Sequence, residues 1–402
     1  MQDSPAMNEK CSEVAGVFNS GLYYSTAKMF RGNRKALQRQ RNAIVIYSPY
    51  SGRSAQLSQA LTSLQQVEVN VVQITSIAGL DELPPQGTHW RDSGIDVAIA
   101  AGGDGLVGGV ITHIAESRLP LGILPLGTAN DIARSLHIPL DLPEAAKVIA
   151  LGKEIEVDIG EAQPAEQAPH LASPRQKGPV LSHVASQKHG FFAHVLTVGL
   201  NVQFARLATN IATRQRYSRL TYPFAAFEVL KKHEAIEVDL HFEGVALPQQ
   251  ERFTRQEQRL APSIDEAQTS LQCRALQVTV INAPIFGGQW DLAIPGATMN
   301  DRLLDIVVIE DIDLEDLSAT IGQFFNTQKQ PLTLPPGWER SHIGHHPAEL
   351  TGIPGIHHLQ ASSVIIKTGA DPRDATLDGE VRGQTPAYVR VANERLRVVV
   401  PG

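Results

Sequence analysis

Short apolar runs that stop at loops of glycine and small polar residues set the rhythm of this chain. Ile44-Val45-Ile46-Tyr47 ends in Ser48-Pro49-Tyr50-Ser51-Gly52. Val97-Ala98-Ile99-Ala100-Ala101 stops at Gly102-Gly103-Asp104-Gly105, and Leu121 to Leu126 stops at Gly127-Thr128-Ala129-Asn130-Asp131. Such continuous apolar runs read as strands buried on both faces. Between them the pattern predicts helices up to about Gln65, from Leu106 to Ser117 and from Ala129 to Leu136, with a further strand over Val67 to Val72. This alternation predicts an α/β fold with a doubly wound, mostly parallel sheet. In such sheets ligands sit beyond the carboxyl ends of the strands, where both glycine loops fall.

After Pro143 the pattern changes. A helix to Leu151 precedes a strand over Ile155 to Ile159. Strand-like runs follow at Ala193–Val198, Ile236–Phe242, Leu276–Ile281, Leu304–Ile309, Val364–Lys367, Tyr388–Val391 and Leu396–Val400, with a helical stretch from Phe204 to Lys232. Many strands and few helices predict a second, β-rich, sandwich-like domain. The expected organisation is a basic N-terminal extension over 1–42 and an α/β nucleotide-binding domain over 43–152. A β-rich lipid or substrate domain follows over 153–390, with insertions near 161–190, 247–272 and 328–358. Residues 391–402 form a C-terminal strand able to return to the first domain.

Composition narrows the class. A chain of 402 residues exceeds one ordinary core. Its net charge of −7 argues against a nucleic-acid binder. Cys11 and Cys273 stand far apart in no ligand-like spacing, which points to a reducing compartment and to neither a disulfide framework nor a zinc site. No apolar run reaches the roughly 18 residues of a membrane span. A cytoplasmic protein is the expectation. The basic stretch Lys28, Arg31, Arg34, Lys35, Arg39 and Arg41 reads first as a solvated arm and second as a patch for anionic lipid head groups. His342, His345, His346, His357 and His358 read as part of a polar surface loop.

The chemistry resides in three motifs. Glycine admits a ligand close to the backbone, and a helix N-terminus behind the loop offers unpaired N–H groups and a partial positive charge. Two such loops, each with an aspartate, suggest a polyphosphate site with a carboxylate-held metal. Gly103 to Gly108 also matches G-x-G-x-x-G, but the next strand ends at Leu124-Pro125-Leu126 without the acid that a dinucleotide-binding fold places on the ribose. Thr128 can donate to phosphate, while Asn130 and Asp131 suit either a helix cap or a ligand. In Thr376-Leu377-Asp378-Gly379-Glu380, an extended segment would pair the Asp378 and Glu380 carboxylates on one side, and a hairpin turn at Asp-Gly is the alternative.

Together Gly102-Gly103-Asp104-Gly105, Leu124 to Arg134, and Asp378-Gly379-Glu380 with Thr385-Pro386 resemble the diacylglycerol kinase-like catalytic domain family, which includes bacterial lipid kinases, diacylglycerol, sphingosine and ceramide kinases and is related in fold to NAD kinases. Ser48-Pro49-Tyr50-Ser51-Gly52, Asn282 with Gly287-Gly288, and Asp301 before Leu303-Leu304-Asp305 resemble further motifs of that family. The resemblance implies ATP- and Mg²⁺-dependent phosphorylation of a lipid hydroxyl, diacylglycerol-like in preference to a sphingoid base, at a membrane surface. It implies nucleotide contacts at Thr75, Gly102, Gly103, Asp104, Gly105, Gly108, Gly127, Thr128 and Asn130. Asp104 and Asp131 would organise Mg²⁺ and the acceptor, and Glu380 would be the general base. Asp301, with carbonyl oxygens of Thr298 and Leu303, would match a structural Mg²⁺ site.

The chain departs from the family at several points. Leu106, Gly108 and Gly109 stand where a threonine, an asparagine and a glutamate are usual. Gly199-Leu200-Asn201 replaces Gly-Phe-Asp, and Arg302 replaces a glycine. An NAD kinase-like enzyme acting on a soluble nucleotide and a non-catalytic lipid- or nucleotide-binding relative are the alternative readings. The oligomeric state is open, a homodimer included.

Overall fold

The computed structural model describes residues 40–49, 53–80, 92–168, 190–200, 202, 234–246, 270–286, 292–294, 296–311 and 355–402. The basic arm before residue 40, the Phe204–Lys232 segment, Asn201, Gly287-Gly288 and His342, His345 and His346 lie outside them, as does most of each expected insertion.

In chain order the strands are β1 Asn42–Tyr47, β2 Asn70–Ser76, β3 Val97–Gly102, β4 Leu121–Pro125, β5 Lys153–Val157, β6 Gly160–Pro164, β7 Phe191–Phe192, β8 Val195–Gly199, β9 Ile236–Glu243 and β10 Ser270–Ile281. They continue with β11 Ile285–Phe286, β12 Leu292–Ala293, β13 Leu304–Glu310, β14 Ile356–Ala361, β15 Ser363–Thr368, β16 Asp374–Leu377, β17 Glu380–Gln384, β18 Ala387–Val391 and β19 Leu396–Val400. The helices are α1 Leu57–Gln66, α2 Ile77–Leu80, α3 Asp104–Ile114, α4 Asp131–Ser135 and α5 Leu142–Leu151.

The first sheet runs β2-β1-β3-β4-β19-β5. Every pairing in it is parallel except that of β19 with β5. All residues of β3 and β4 are buried, as continuous apolar runs between covering helices require. β2 starts at Asn70, later than the expected Val67, because Glu68 takes a left-handed turn with φ 62° after α1. β19 carries the end of the chain back into this sheet, between β4 and β5.

The second sheet is antiparallel throughout, in the order β17-β16-β8-β10-β9-β15-β18-β6-β7, with β13 joining β10 to β14. β10 serves both halves. Its residues Ser270–Ala275 pair with β9 and Gln277–Ile281 with β8. Ile236, Val238, Leu240 and Phe242 alternate into the core of this domain, the period-2 signature of a strand covered on one face.

Three expected insertion edges are strand instead. β6 runs from Gly160 into the expected 161–190 insertion, β10 begins inside 247–272, and β14 begins inside 328–358. His357 and His358, expected in a surface loop, are therefore buried strand residues. Their burial is matched by acids on β13: His357 Nε2 lies 2.7 Å from Glu310 Oε1, and His358 Nε2 lies 2.7 Å from Asp305 Oδ1. Buried polar groups need such partners, and residues paired this way hide a strand from an apolar-pattern reading.

The two crossings between the sheets are tied together. Asp158, on the link from β5 to β6, is buried and accepts hydrogen bonds from Arg302 N at 2.7 Å, Arg302 Nη1 at 3.2 Å and Arg395 Nε at 3.1 Å. Arg302 Nη2 also donates to Ala392 O on the link from β18 to β19, at 2.7 Å. Arg302 keeps the left-handed backbone that favours glycine, with φ 65°, and its guanidinium supplies what a glycine could not. Asn282 Nδ2 donates to Asp158 O at 2.9 Å and Ala193 O at 2.7 Å.

Candidate active site

The two glycine loops touch. A Cβ on Gly127 would stand 2.3 Å from Gly103 Cα, and one on Gly103 would stand 2.9 Å from Gly127 Cα. Only two glycines permit this approach of backbone to backbone. Leu126 N donates to Gly102 O at 3.0 Å, holding the loop after β4 against the end of β3. Arg53 adds a third strand end: its N–H donates to Leu126 O at 3.0 Å and its Nη2 to Pro125 O at 2.6 Å. Nothing in the spacing of the motifs singles out Arg53.

Behind the first loop, α3 begins at Asp104, so its unpaired first-turn N–H groups and positive end lie at the carboxyl edge of β3. Asp104 Oδ1 accepts from Ile132 N at 2.9 Å, which caps α4 and ties the loops a second time. Asn130 adopts φ 57° and is buried. Its Oδ1 accepts from Gly127 N at 2.8 Å and its Nδ2 donates to Gly127 O at 3.0 Å, so its amide closes the loop. Asp131, next in the chain, is buried, while Thr128 is exposed on the loop. Thr75 is the penultimate residue of β2, near the same carboxyl edge, with β1 between it and β3.

The second domain contributes the hairpin β16–β17. Asp378 and Gly379 at its tip have φ 48° and 85°, the left-handed pair of a tight Asp-Gly turn. The paired carboxylates expected from an extended segment are therefore not formed. Asp378 turns inward: its Oδ1 accepts from His194 N and Val195 N, each at 2.9 Å, and its Oδ2 from Ala193 N at 3.0 Å. Burial pushes its carboxyl above the usual range, against the pull of those N–H donors and of His194. Glu380 turns outward, is exposed, and pairs with Arg382. Its Oε1 lies 3.5 Å from where a Cβ of Gly105 would stand, and Asp378 O lies 3.4 Å from it.

The hairpin thus sits on the first turn of α3. Glu380 adjoins Gly105, the neighbour of Asp104, and Asp104 bonds Ile132, the neighbour of Asp131. The three acids thus stand on chain segments that touch one another.

The departures at the start of α3 have a structural cause. Leu106 is a buried core residue. A Cβ on Gly108 would fall 2.3 Å from Asp378 Oδ2, and one on Gly109 would fall 3.1 Å from Ile77 Cδ1. Gly108 is thus the floor under Asp378.

At the second expected metal site the contacts to Asp301 come from hydrogen-bond donors of Leu303 and Thr298, not from their carbonyl oxygens. Asp301 Oδ1 accepts from Leu303 N at 3.0 Å, and the Thr298 side chain bonds the same carboxyl. Desolvation pushes Asp301 above its usual range, and nearby Asp305 adds to the push.

Glycine cradles at the carboxyl edge of a parallel sheet, completed by an acid-bearing hairpin from an antiparallel domain, define a two-domain α/β protein of the kinase-like class. Comparison makes the class specific. The chain matches the Diacylglycerol kinase catalytic domain over residues 42–162 and the YegS C-terminal NAD kinase beta sandwich-like domain over residues 194–328. It is 23% identical over 370 residues to a diacylglycerol kinase of Staphylococcus saprophyticus, covering 90% of this chain and 96% of that one. It is 38% identical over 128 residues to a diacylglycerol kinase of Staphylococcus aureus, covering 30% of this chain and 40% of that one. In fold it is similar to a solved candidate diacylglycerol kinase from Bacillus anthracis, at a TM-score of 0.57 and 20% identity over 92% of this chain and 98% of that one. The chain belongs to the diacylglycerol kinase-like family, a family of lipid kinases. The hairpin with Asp378 and Glu380 lies beyond both matched segments.

Proposed function

We propose that this protein is an ATP- and Mg²⁺-dependent kinase that phosphorylates the hydroxyl of a diacylglycerol-like lipid at a membrane surface. The observation that carries the reading is the Gly103–Gly127 contact with Glu380 set beside Gly105. Phosphoryl transfer needs positioning and charge neutralisation more than covalent chemistry. The N–H groups of Gly103 to Gly105 and the loop from Gly127 to Asn130 would receive the phosphates, with the Thr128 hydroxyl as a further donor. Thr75 would lie near the nucleotide. Asp104 and Asp131 fit a hard cation as oxygen donors, and Mg²⁺ held there would neutralise phosphate charge. Asp301 with Thr298 and Leu303 would hold a structural Mg²⁺.

Glu380 is the proposed general base. The lipid hydroxyl oxygen bonds to the γ-phosphorus, the bond to the β,γ-bridging oxygen breaks, ADP leaves, and the hydroxyl proton passes to Glu380. Arg382 holds that carboxylate in place. None of the described helices is long and apolar enough to cross a membrane.

The test is a lipid-panel assay with labelled ATP and mixed micelles, with NAD as a competing acceptor. Mg²⁺-dependent lipid phosphate with diacylglycerol preferred supports the proposal. Phosphorylation of NAD instead, or tight ATP binding without transfer to any acceptor, overturns it.

A further inference from the structure

At the other end of the second domain, Cys273, Glu310 and His357 come together. One ligand atom from each, the sulfur, a carboxylate oxygen and a ring nitrogen, lies within 4.8 Å of the others. They sit on three neighbouring strands, β10, β13 and β14, tens of residues apart in sequence. Register puts them on one face. Glu310 pairs with Ala275, two residues from Cys273, and His357 pairs with Val308, two residues from Glu310. Ala275 and Val308 both point into the domain core, so the three side chains share that inner face.

His357 is 3% exposed. Its Nε2 is occupied by Glu310, while its Nδ1 is shielded from solvent and has no hydrogen-bond partner. Nδ1 faces away from Glu310, so a cation shared with that carboxylate would bind at Nε2, in place of the present hydrogen bond.

We propose that Cys273, Glu310 and His357 bind a thiophilic divalent cation such as Zn²⁺. Sulfur, imidazole and carboxylate are its usual donors, whereas Mg²⁺ and Ca²⁺ require oxygen. With zinc–ligand bonds of about 2.0–2.3 Å, tetrahedral ligands stand about 3.5 Å apart, so side-chain rotation of roughly 1 Å closes the cluster. Three protein donors leave one position for water. The cation would staple three strands at the end of β13 remote from Asp301, roughly 20 Å along the strand. Cys273 lies eight residues along β10 from Ile281, which pairs with Val195 beside Asp378, so the cluster is separate from the proposed kinase corner.

The test uses the full chain, stripped with chelator and titrated with Co²⁺. The expected result is one cobalt per chain with a thiolate-to-cobalt charge-transfer band. Cys273→Ser abolishes the band, Cys11→Ser retains it, and Glu310→Gln and His357→Gln weaken binding more than about tenfold. Circular dichroism of each variant separates lost ligation from lost fold. A folded wild-type chain that gives no band, or a band that vanishes with Cys11 and survives Cys273→Ser, overturns the proposal. Lipid phosphorylation is not needed for either readout.

Discussion

Gly108 and Asp378 are fitted to each other: a β-carbon on the glycine would stand 2.3 Å from the aspartate's Oδ2. The carboxylate cannot retreat, because the N–H groups of Ala193, His194 and Val195 hold it from the far side. Gly108→Ala is therefore expected to cost about 3 kcal/mol or more, at the upper end of overpacking. Gly108→Asn, which restores the side chain usual in the family, is expected to be at least as damaging. Thermal unfolding checks both, and an unchanged midpoint for either variant contradicts the fit.

Gly127→Ala should separate the two loops. Its methyl would meet Gly103 Cα, a backbone atom that no rotamer change can move aside. Misplacing a cradle by about 1 Å costs up to roughly 100-fold in a well-positioned site. ATP affinity, read by calorimetry, is expected to fall at least about tenfold. Wild-type affinity in a folded variant would remove the loops from the nucleotide site.

Glu380→Gln tests the base. The amide keeps the size of the side chain and a contact for Arg382, but takes no proton. Turnover should fall by about 100- to 10,000-fold with ATP affinity nearly unchanged, since the phosphate loops are untouched. Full activity in this variant would reassign the base.

Buried parallel strands are legible in the sequence, while partners distant along the chain are not. Val97–Ala101 and Leu121–Leu126 announce buried parallel strands, because continuous apolar runs ending at glycine have few other uses. The two-domain α/β and β-rich architecture follows from the change of pattern after Pro143. Asp378 and Glu380 are different. Their opposite directions follow from the left-handed turn at Asp378-Gly379, which the competing extended reading obscured. His357 and His358 looked like loop residues because Glu310 and Asp305, which make their burial possible, are far away in sequence. Likewise the lack of a side chain at Gly108 has its cause in Asp378, which lies 270 residues further along the chain.

Asp158 joins the crossings between the domains, so Asp158→Asn should act on stability. Removing one partner of a buried ion pair costs about 3–5 kcal/mol. Arg302 and Arg395 are 39% and 37% exposed, and water will compensate part of their loss. A cost of about 2–3 kcal/mol is expected, read as a lower midpoint in urea at neutral pH. A midpoint equal to that of the wild type would show that the arginines are solvated well enough not to need Asp158.

Cys273 gives a pH-dependent signature. Burial, with Glu310 adding repulsion, pushes its thiol from 9.0 up to about 11. The thiolate is the reactive form, so in the chelated Cys11→Ser chain at pH 8 alkylation should run about 100-fold slower than for a thiol at its ordinary value. The sign for stability follows. The folded state holds its proton to higher pH than the unfolded state, so this contribution is fully present below pH 9 and is lost as pH rises towards about 11. Glu310→Gln removes the adjacent negative charge and should speed alkylation. Mass spectrometry of iodoacetamide-treated protein between pH 7 and 10 measures the rate, and labelling of native Cys273 as fast as a small free thiol at pH 8 would show that the sulfur is neither shielded nor beside a carboxylate.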